Sequence, residues 1–244
     1  MRRIGLAALL LSLGGLAAAA APPLWVGRFE SPGAPPSPWR VVRFGKTVRP
    51  TAYRVAVVRG VTGVEAFADS SMALLARPLT VDLAATPILC WRWLVEAPVA
   101  KGDMTKKAGD DYAARLYVAF DLPDSAMSAG TRFKLGMARR LFGAAVPDAA
   151  LNYVWDNRHP VGFRTKSAYT DRAELIVAET GAARAGTWVV ERVDVARDFA
   201  RGFGVAAARP IQLAIASDTD NTKSKARAAF ADIHFVAAGQ RCAI

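Results

Sequence analysis

The chain has 244 residues, 32 of them lysine or arginine against 21 acids, a net charge of +11 and a hydrophobic fraction of 52%. That apolar content excludes a disordered chain, and the length allows one sizeable core. Two histidines and two cysteines, with no Cys-x-x-Cys and no His-Glu-x-x-His, exclude the common zinc folds.

The N-terminus reads as an export signal. Met1-Arg2-Arg3-Ile4-Gly5 is basic, Leu6–Leu16 is apolar apart from Ser12 and two glycines, and Ala17–Ala21 is a run of small residues. This is the three-part pattern of a signal peptide over residues 1–21, with cleavage expected after Ala19 or Ala21. The apolar run is about half of the ~20 residues that a membrane helix needs, and no later segment is long enough, so no transmembrane span is expected after cleavage. The expected location is the periplasm or the medium. Cleavage removes Arg2 and Arg3 and no acid, lowering the charge from +11 to +9. A basic exported protein favours anionic surfaces, but scattered arginines and the lack of a nucleic-acid motif argue against nucleic acid as a partner.

Residues 22–38 form a proline-rich lead-in, expected to be extended and irregular. From 39 to 244 short strand-like runs recur between turn signals, with no repeat and no change of composition, which predicts one domain. The runs are Trp39–Phe44, Tyr53–Arg59, Val64–Ala68, Ala73–Leu83, Ile88–Val95 and Tyr112–Asp121. Leu151–Trp155, Glu174–Glu179, Trp188–Val195, Ile211–Ser217 and Ala229–Val236 complete them. One helix insertion is predicted over Gly130–Phe142, with Phe133, Met137 and Leu141 as its packing face and Gly143 as its stop. Its basic residues also suit a membrane surface, although covering one end of a sandwich is the expected role. The fold expected is all-β, a two-sheet, jelly-roll-like β-sandwich.

Alternation assigns strand faces. Trp91, Trp93 and Val95 share an apolar face opposite Cys90 and Arg92. Tyr112, Ala114, Leu116, Val118 and Phe120 lie opposite Asp111, Arg115 and Tyr117. Ile211, Leu213 and Ile215 lie opposite Gln212, with Asp218 in register on its side. The polar faces suggest a solvated surface or a concave ligand groove.

Several stretches resemble an uncharacterised bacterial family, domain of unknown function 3047. They include Cys90-Trp91-Arg92-Trp93, Asp110–Leu116, Leu151–Asn157, Ala168–Arg172, Gly186–Arg192, Phe203-Gly204, Ser217–Thr222 and Ala229–Phe235. The resemblance implies an envelope-associated domain and supplies no activity, cofactor or catalytic residue.

The densest polar string is Asp218-Thr219-Asp220-Asn221-Thr222. Asp218 and Asp220 are candidate calcium ligands if Asp103, Asp110 or Asp111 comes near, whereas an Asx-rich turn needs no metal. Lys223 stands where a calcium-binding helix-loop-helix motif requires glycine, so that motif is excluded. Asp111, Glu174, Glu179, Glu191, Asp218 and Asp220 are candidates for a carboxylate pair, with Arg92 and Arg115 as expected salt-bridge partners. His159 sits in a loop, and His234 is expected at the surface. Without a Gly-x-Ser-x-Gly elbow, Ser217, Asp232 and His234 make no triad. Trp155, beside Asp156 and Asn157, has the surroundings of a sugar-stacking platform, or else seals the sandwich. An even cysteine count in an oxidising compartment leaves Cys90 and Cys242 as a candidate disulfide or two buried thiols.

The function expected is therefore an exported, non-catalytic binding module, carbohydrate-binding-like, for a glycan or another envelope component. Its candidate contacts are Arg92, Asp111, Arg115, Trp155, Asp218, Asp220 and Asn221 on one polar face, with calcium as the only cofactor considered. An envelope hydrolase using carboxylates is the alternative, and a structural or interaction protein the third. Oligomeric state is open.

Overall fold

The computed structural model describes residues 21–43, 47–142, 146–205 and 208–244, without the side chains of residues 134, 138 and 140–142. The expected signal sequence up to residue 20, the Gly143 stop and the side chain of Leu141 lie outside the described residues. Strands β1 (Leu24–Gly27), β2 (Arg40–Arg43), β3 (Ala52–Val58), β4 (Val61–Asp69), β5 (Ala73–Pro78), β6 (Ile88–Val95) and β7 (Tyr112–Asp121) precede helix α1 (Ala129–Phe142). After it come β8 (Ala149–Asp156), β9 (Arg164–Ser167), β10 (Thr170–Thr180) and β11 (Val189–Asp194), helix α2 (Val195–Phe203), β12 (Arg209–Asp218) and β13 (Lys225–Val236).

The strands make two sheets. One runs β11-β6-β13-β4-β3, with β1 also paired to β13, and the other runs β2-β5-β12-β7-β8-β10-β9. Most neighbours are antiparallel, but β8 and β10 are parallel. The fold is an all-β, jelly-roll-like sandwich. The lead-in is less irregular than its prolines suggest: Leu24 and Trp25 pair with Phe235 and His234, and Gly33 bridges Val55.

Alternation sorts the core as pleated geometry demands. Trp91, Trp93 and Val95 from β6, Leu116, Val118 and Phe120 from β7, and Leu213 and Ile215 from β12 meet in one cluster between the sheets. Tyr153 and Trp155 from β8 join it, and the Trp93 and Trp155 rings lie 5.8 Å apart. Each such side chain contributes about 1.5–3 kcal/mol on burial.

Helix α2 closes one end of this core. Asp194 caps it by accepting the Arg197 N–H, and Gly204 ends it in the left-handed region at φ 68°. Phe199 is buried, its ring 4.1 Å from that of Phe120. Arg164 on β9 donates to Glu174 Oε1 at 2.8 Å and to Asp198 Oδ1 at 2.7 Å, so α2 is tied to the seven-stranded sheet.

The C-terminal tail folds back on the other sheet. Cys90 and Cys242 form a disulfide, with Cα atoms 5.8 Å apart. His234 is fully buried, not at the surface as expected from its alternation with Asp232. A bulge between Ala231 and His234 shifts the register there, and the lead-in strand and tail cover the ring. Its Nδ1–H donates to the Asp232 carbonyl at 2.6 Å, and Nε2 accepts the Ala243 N–H at 2.9 Å. Burial lowers its pKa, which agrees with a neutral ring holding both bonds.

Helix α1 lies in the connection from β7 to β8, and its packing differs from the expectation. Leu135 faces inward at 7% exposure, while Phe133 and Met137 point to solvent at 71% and 43%. Among the described residues no helix is long and apolar enough to cross a membrane.

Candidate ligand-binding site

The polar residues singled out above do not share one face. Arg92 lies on the outside of the six-stranded sheet, opposite Trp91 and Trp93, and Arg115 on the outside of the seven-stranded sheet, opposite Ala114 and Leu116. A sandwich has two outer faces, and alternation within a strand cannot say which sheet the strand joins. Arg92 pairs with Asp232 and lies over the Trp188 ring at 5.7 Å. Trp155 is not a platform: it is 1% exposed, packs on Trp93, and donates Nε1–H to the Gly181 carbonyl at 2.9 Å. Its strand lies between β7 and β10 with the indole on the core side, so Asp156 and Asn157 beside it in sequence are not beside it in a groove.

The remaining candidates do converge, at the end of the seven-stranded sheet where β7 begins and β12 ends. Pairing sets Asp218 opposite Tyr112. The Asp218 carboxylate accepts the Tyr112 N–H at 3.2 Å through Oδ1 and the Arg115 guanidinium at 2.7 Å through Oδ2. Asp110 stands 3.6 Å from the same guanidinium and accepts the Tyr112 hydroxyl at 3.0 Å. Arg115 is buried, with the rings of Tyr112 and Tyr117 at 4.5 and 4.8 Å.

Asp111 clamps the next loop. Its oxygens accept the N–H groups of Asn221 at 3.2 Å and Thr222 at 2.6 Å. Oxygens of Asp111, Asp218 and Asp220 thereby lie within 4.8 Å of one another. Asp103, the other residue considered, is instead engaged by Thr105 and Lys106.

The electrostatics of this corner are unbalanced. Four acids gather here, Asp110, Asp111, Asp218 and Asp220, and of these Asp110 and Asp218 pair with the buried Arg115 guanidinium. Burial first, and then Asp110 and Asp111, push the Asp218 carboxyl above its ordinary range, although Arg115 opposes them. Burial and Asp111 raise Asp220 in the same direction. A carboxylate set that resists losing its protons is one that a further cation would stabilise.

Two residues of the corner, Tyr169 and Lys107, are not among the candidates read from the sequence. Tyr169, in the β9–β10 turn, is 54% exposed; its hydroxyl accepts from Asn221 Nδ2 at 2.8 Å and donates to the Lys107 carbonyl at 3.2 Å. Lys107 Nζ lies 5.4 Å from the centre of that ring. Asp110, one of the acids expected to approach Asp218, completes the acidic set. The sign that could have found Tyr169 is an aromatic in a polar turn, Ser-Ala-Tyr-Thr-Asp, where no core face needs it.

The other candidate carboxylates are tied down or enclosed. Glu174 is held by Arg164 and Lys166, and Glu179 by Arg184. Glu191 meets no cation among the described ion pairs but accepts the buried Trp93 indole N–H at 3.1 Å.

A family model described as a protein of unknown function (DUF3047) matches residues 37–234. The chain belongs to the DUF3047 family. Three of the stretches that carry the resemblance, Asp110–Leu116, Ala168–Arg172 and Ser217–Thr222, meet in the corner just described. Among curated proteins none matches the sequence. Among solved structures, the DUF3047 chain is similar to the xyloglucanase domain of NopAA, a type three effector from Sinorhizobium fredii, in complex with cellobiose. The identity is 10%, the TM-score 0.39, and the match covers 82% of this chain and 92% of that one. At that likeness no substrate passes from that enzyme to this chain.

Proposed function

We propose that this DUF3047 protein is an exported, non-catalytic binding module for an envelope glycan, held at the corner of Tyr169, Asn221, Asp111 and Asp220 with calcium as the bridging ion. The observation that carries this reading is the exposed Tyr169 ring, fixed through its hydroxyl to Asn221 beside three converging carboxylates. An aromatic face receives the C–H side of a sugar ring, while calcium takes carboxylate and hydroxyl oxygens together. Asp111 and Asp218 keep free lone pairs after their N–H and guanidinium bonds, since each carboxylate offers about four acceptor positions. A binding role fits better than carboxylate hydrolysis because Asp218 is paired with Arg115, Asp111 is engaged by two backbone N–H groups, Glu174 and Glu179 are paired with cations, and Glu191 is partly buried against Trp93. Export is supported by the sequence pattern of residues 1–21.

Thermal melting with saturating calcium or with chelator tests the ion. At about a hundredfold excess over Kd, calcium is expected to add roughly 2.7 kcal/mol of stability. Calorimetric titration against a panel of neutral oligosaccharides tests the sugar. Tyr169→Ala is expected to lose sugar binding and keep the calcium shift, and Asp220→Asn to lose both. No melting shift under saturating calcium, together with sugar binding that Tyr169→Ala leaves unchanged, would overturn the proposal.

A further inference from the structure

Helix α1 is anchored from within and unpartnered from without. Arg132 Nη1 donates to the carbonyls of Asp124 at 2.9 Å and Met127 at 2.8 Å. Arg139 donates to the Val146 carbonyl at 3.0 Å and to Asp148 Oδ1 at 2.9 Å, and Leu135 is buried between these anchors. The helix therefore cannot roll to hide its other side without breaking those bonds. That side presents Phe133 and Met137, four residues apart, with Gly136 between them open to solvent.

The charge of the helix points to an occupant. Its fourteen residues include Arg132, Lys134, Arg139 and Arg140 and no acid. A helix of basic composition with an exposed apolar row suits the boundary of headgroups and acyl chains, where each part meets its complement. A second copy fits poorly, because two helices of this composition would oppose like charges. The placement agrees with the charge as well. α1 follows the end of β7, and the acidic corner stands at its start, so a ten-residue strand, roughly 30 Å long, separates them.

We infer that α1 is a membrane-surface contact, docking the protein on an anionic lipid leaflet through Phe133 and Met137. Docked in this way, the protein holds the carboxylates at the start of β7 away from the bilayer, on the side where an envelope polymer is met. The lipid contact rests on α1 alone and does not depend on the glycan reading.

A thiol-linked, polarity-sensitive fluorophore tests the contact in the full chain. The native cysteines are paired, so Met137→Cys supplies a single reactive thiol, and Val161→Cys, 60% exposed in the turn after β8, supplies the control. Vesicles containing phosphatidylglycerol are expected to shift the emission of the label at 137 to the blue and leave that at 161 unchanged. Vesicles of phosphatidylcholine alone are expected to move neither. In co-sedimentation, Phe133→Ser is expected to weaken binding to the anionic vesicles about tenfold, by loss of one buried aromatic, with unchanged circular dichroism. An absent shift at 137 overturns the inference. Equal shifts at 137 and 161 also overturn it, since attachment would then run through another part of the chain. If Phe133→Ser instead abolishes a dimer formed without lipid, the row is a subunit interface and the inference falls.

Discussion

The carboxyl of Glu191 shares a face of β11 with buried Val189, and its one strong partner is the Trp93 indole N–H at 3.1 Å. Burial pushes its pKa from 4.5 up to about 8; Trp93 resists this, Glu179 adds to it and Arg184 opposes it. The folded state therefore keeps a proton that the unfolded chain loses. Stability contributed by the neutral carboxyl is fully present below the unfolded value and is lost as pH rises through the window from 4.5 to about 8. Glu191→Gln keeps a carbonyl acceptor for Trp93 and removes the charge. Urea denaturation is expected to show wild type and variant nearly equal at the acid end of the window and the variant more stable by about 2–4 kcal/mol beyond its alkaline end. Parallel curves across that range would mean that Glu191 ionises freely in the fold. Arg115 illustrates the opposite case at the same scale. Its guanidinium is buried, yet Asp218 and Asp110 hold it charged, so the burial is compensated by a pair rather than by a proton.

Between α2 and the seven-stranded sheet, the decisive position is Gly202. A Cβ there would overlap the Glu174 carboxylate, which is pinned by Arg164 at 2.8 Å and Lys166 at 3.1 Å. Lys166 Nζ also donates to the Gly202 carbonyl at 2.7 Å, so helix and carboxylate cannot separate without losing both bonds. Gly202→Ala is expected to destabilise the fold by about 2–4 kcal/mol, in the range of broken buried charge networks, and to speed amide exchange through α2. An effect below about 1 kcal/mol, typical of surface changes, would show that Glu174 moves aside freely. The elements themselves differ in how far they were readable. β6, β7 and β12 were visible because the face turned to the core between the sheets leaves a period-two record of large apolar side chains. α2 was not, since nine residues with two buried apolar side chains, Val195 and Phe199, leave too short a pattern. α1 was visible as a helix but not in its orientation. Spacing grouped Phe133 with Met137, whereas the anchors at Arg132 and Arg139 turned that row outward.

Across the whole molecule, what sequence could not supply was the partition of strands between sheets. Arg92 and Arg115 occupy similar alternating positions yet end on opposite outer faces, and Trp155 is core because β8 lies between β7 and β10. The acidic corner was half legible: Asp218, Asp220 and Asn221 are contiguous, Asp111 was a candidate, but Tyr169 arrives through the β9–β10 turn. The disulfide adds a covalent long-range connection, closing 152 residues between Cys90 and Cys242. In the chain-entropy account a loop of that length restricts the unfolded state by about 5 kcal/mol at most. The tail has local anchors too: Ala243 N–H to His234 at 2.9 Å, and Arg192 to the Gln240 carbonyl at 3.3 Å. Cys242→Ser separates the two contributions, since Cys242 is only partly buried and its replacement leaves the His234 bond available. A drop of about 3–5 kcal/mol in unfolding free energy, with amide exchange at Ala243 unchanged, is expected if the cross-link acts through the unfolded chain. Faster exchange at Ala243 with little global loss would assign it the local task of pinning the tail over His234. The first outcome is favoured because the backbone of the tail is already hydrogen-bonded from two sides without the sulfurs.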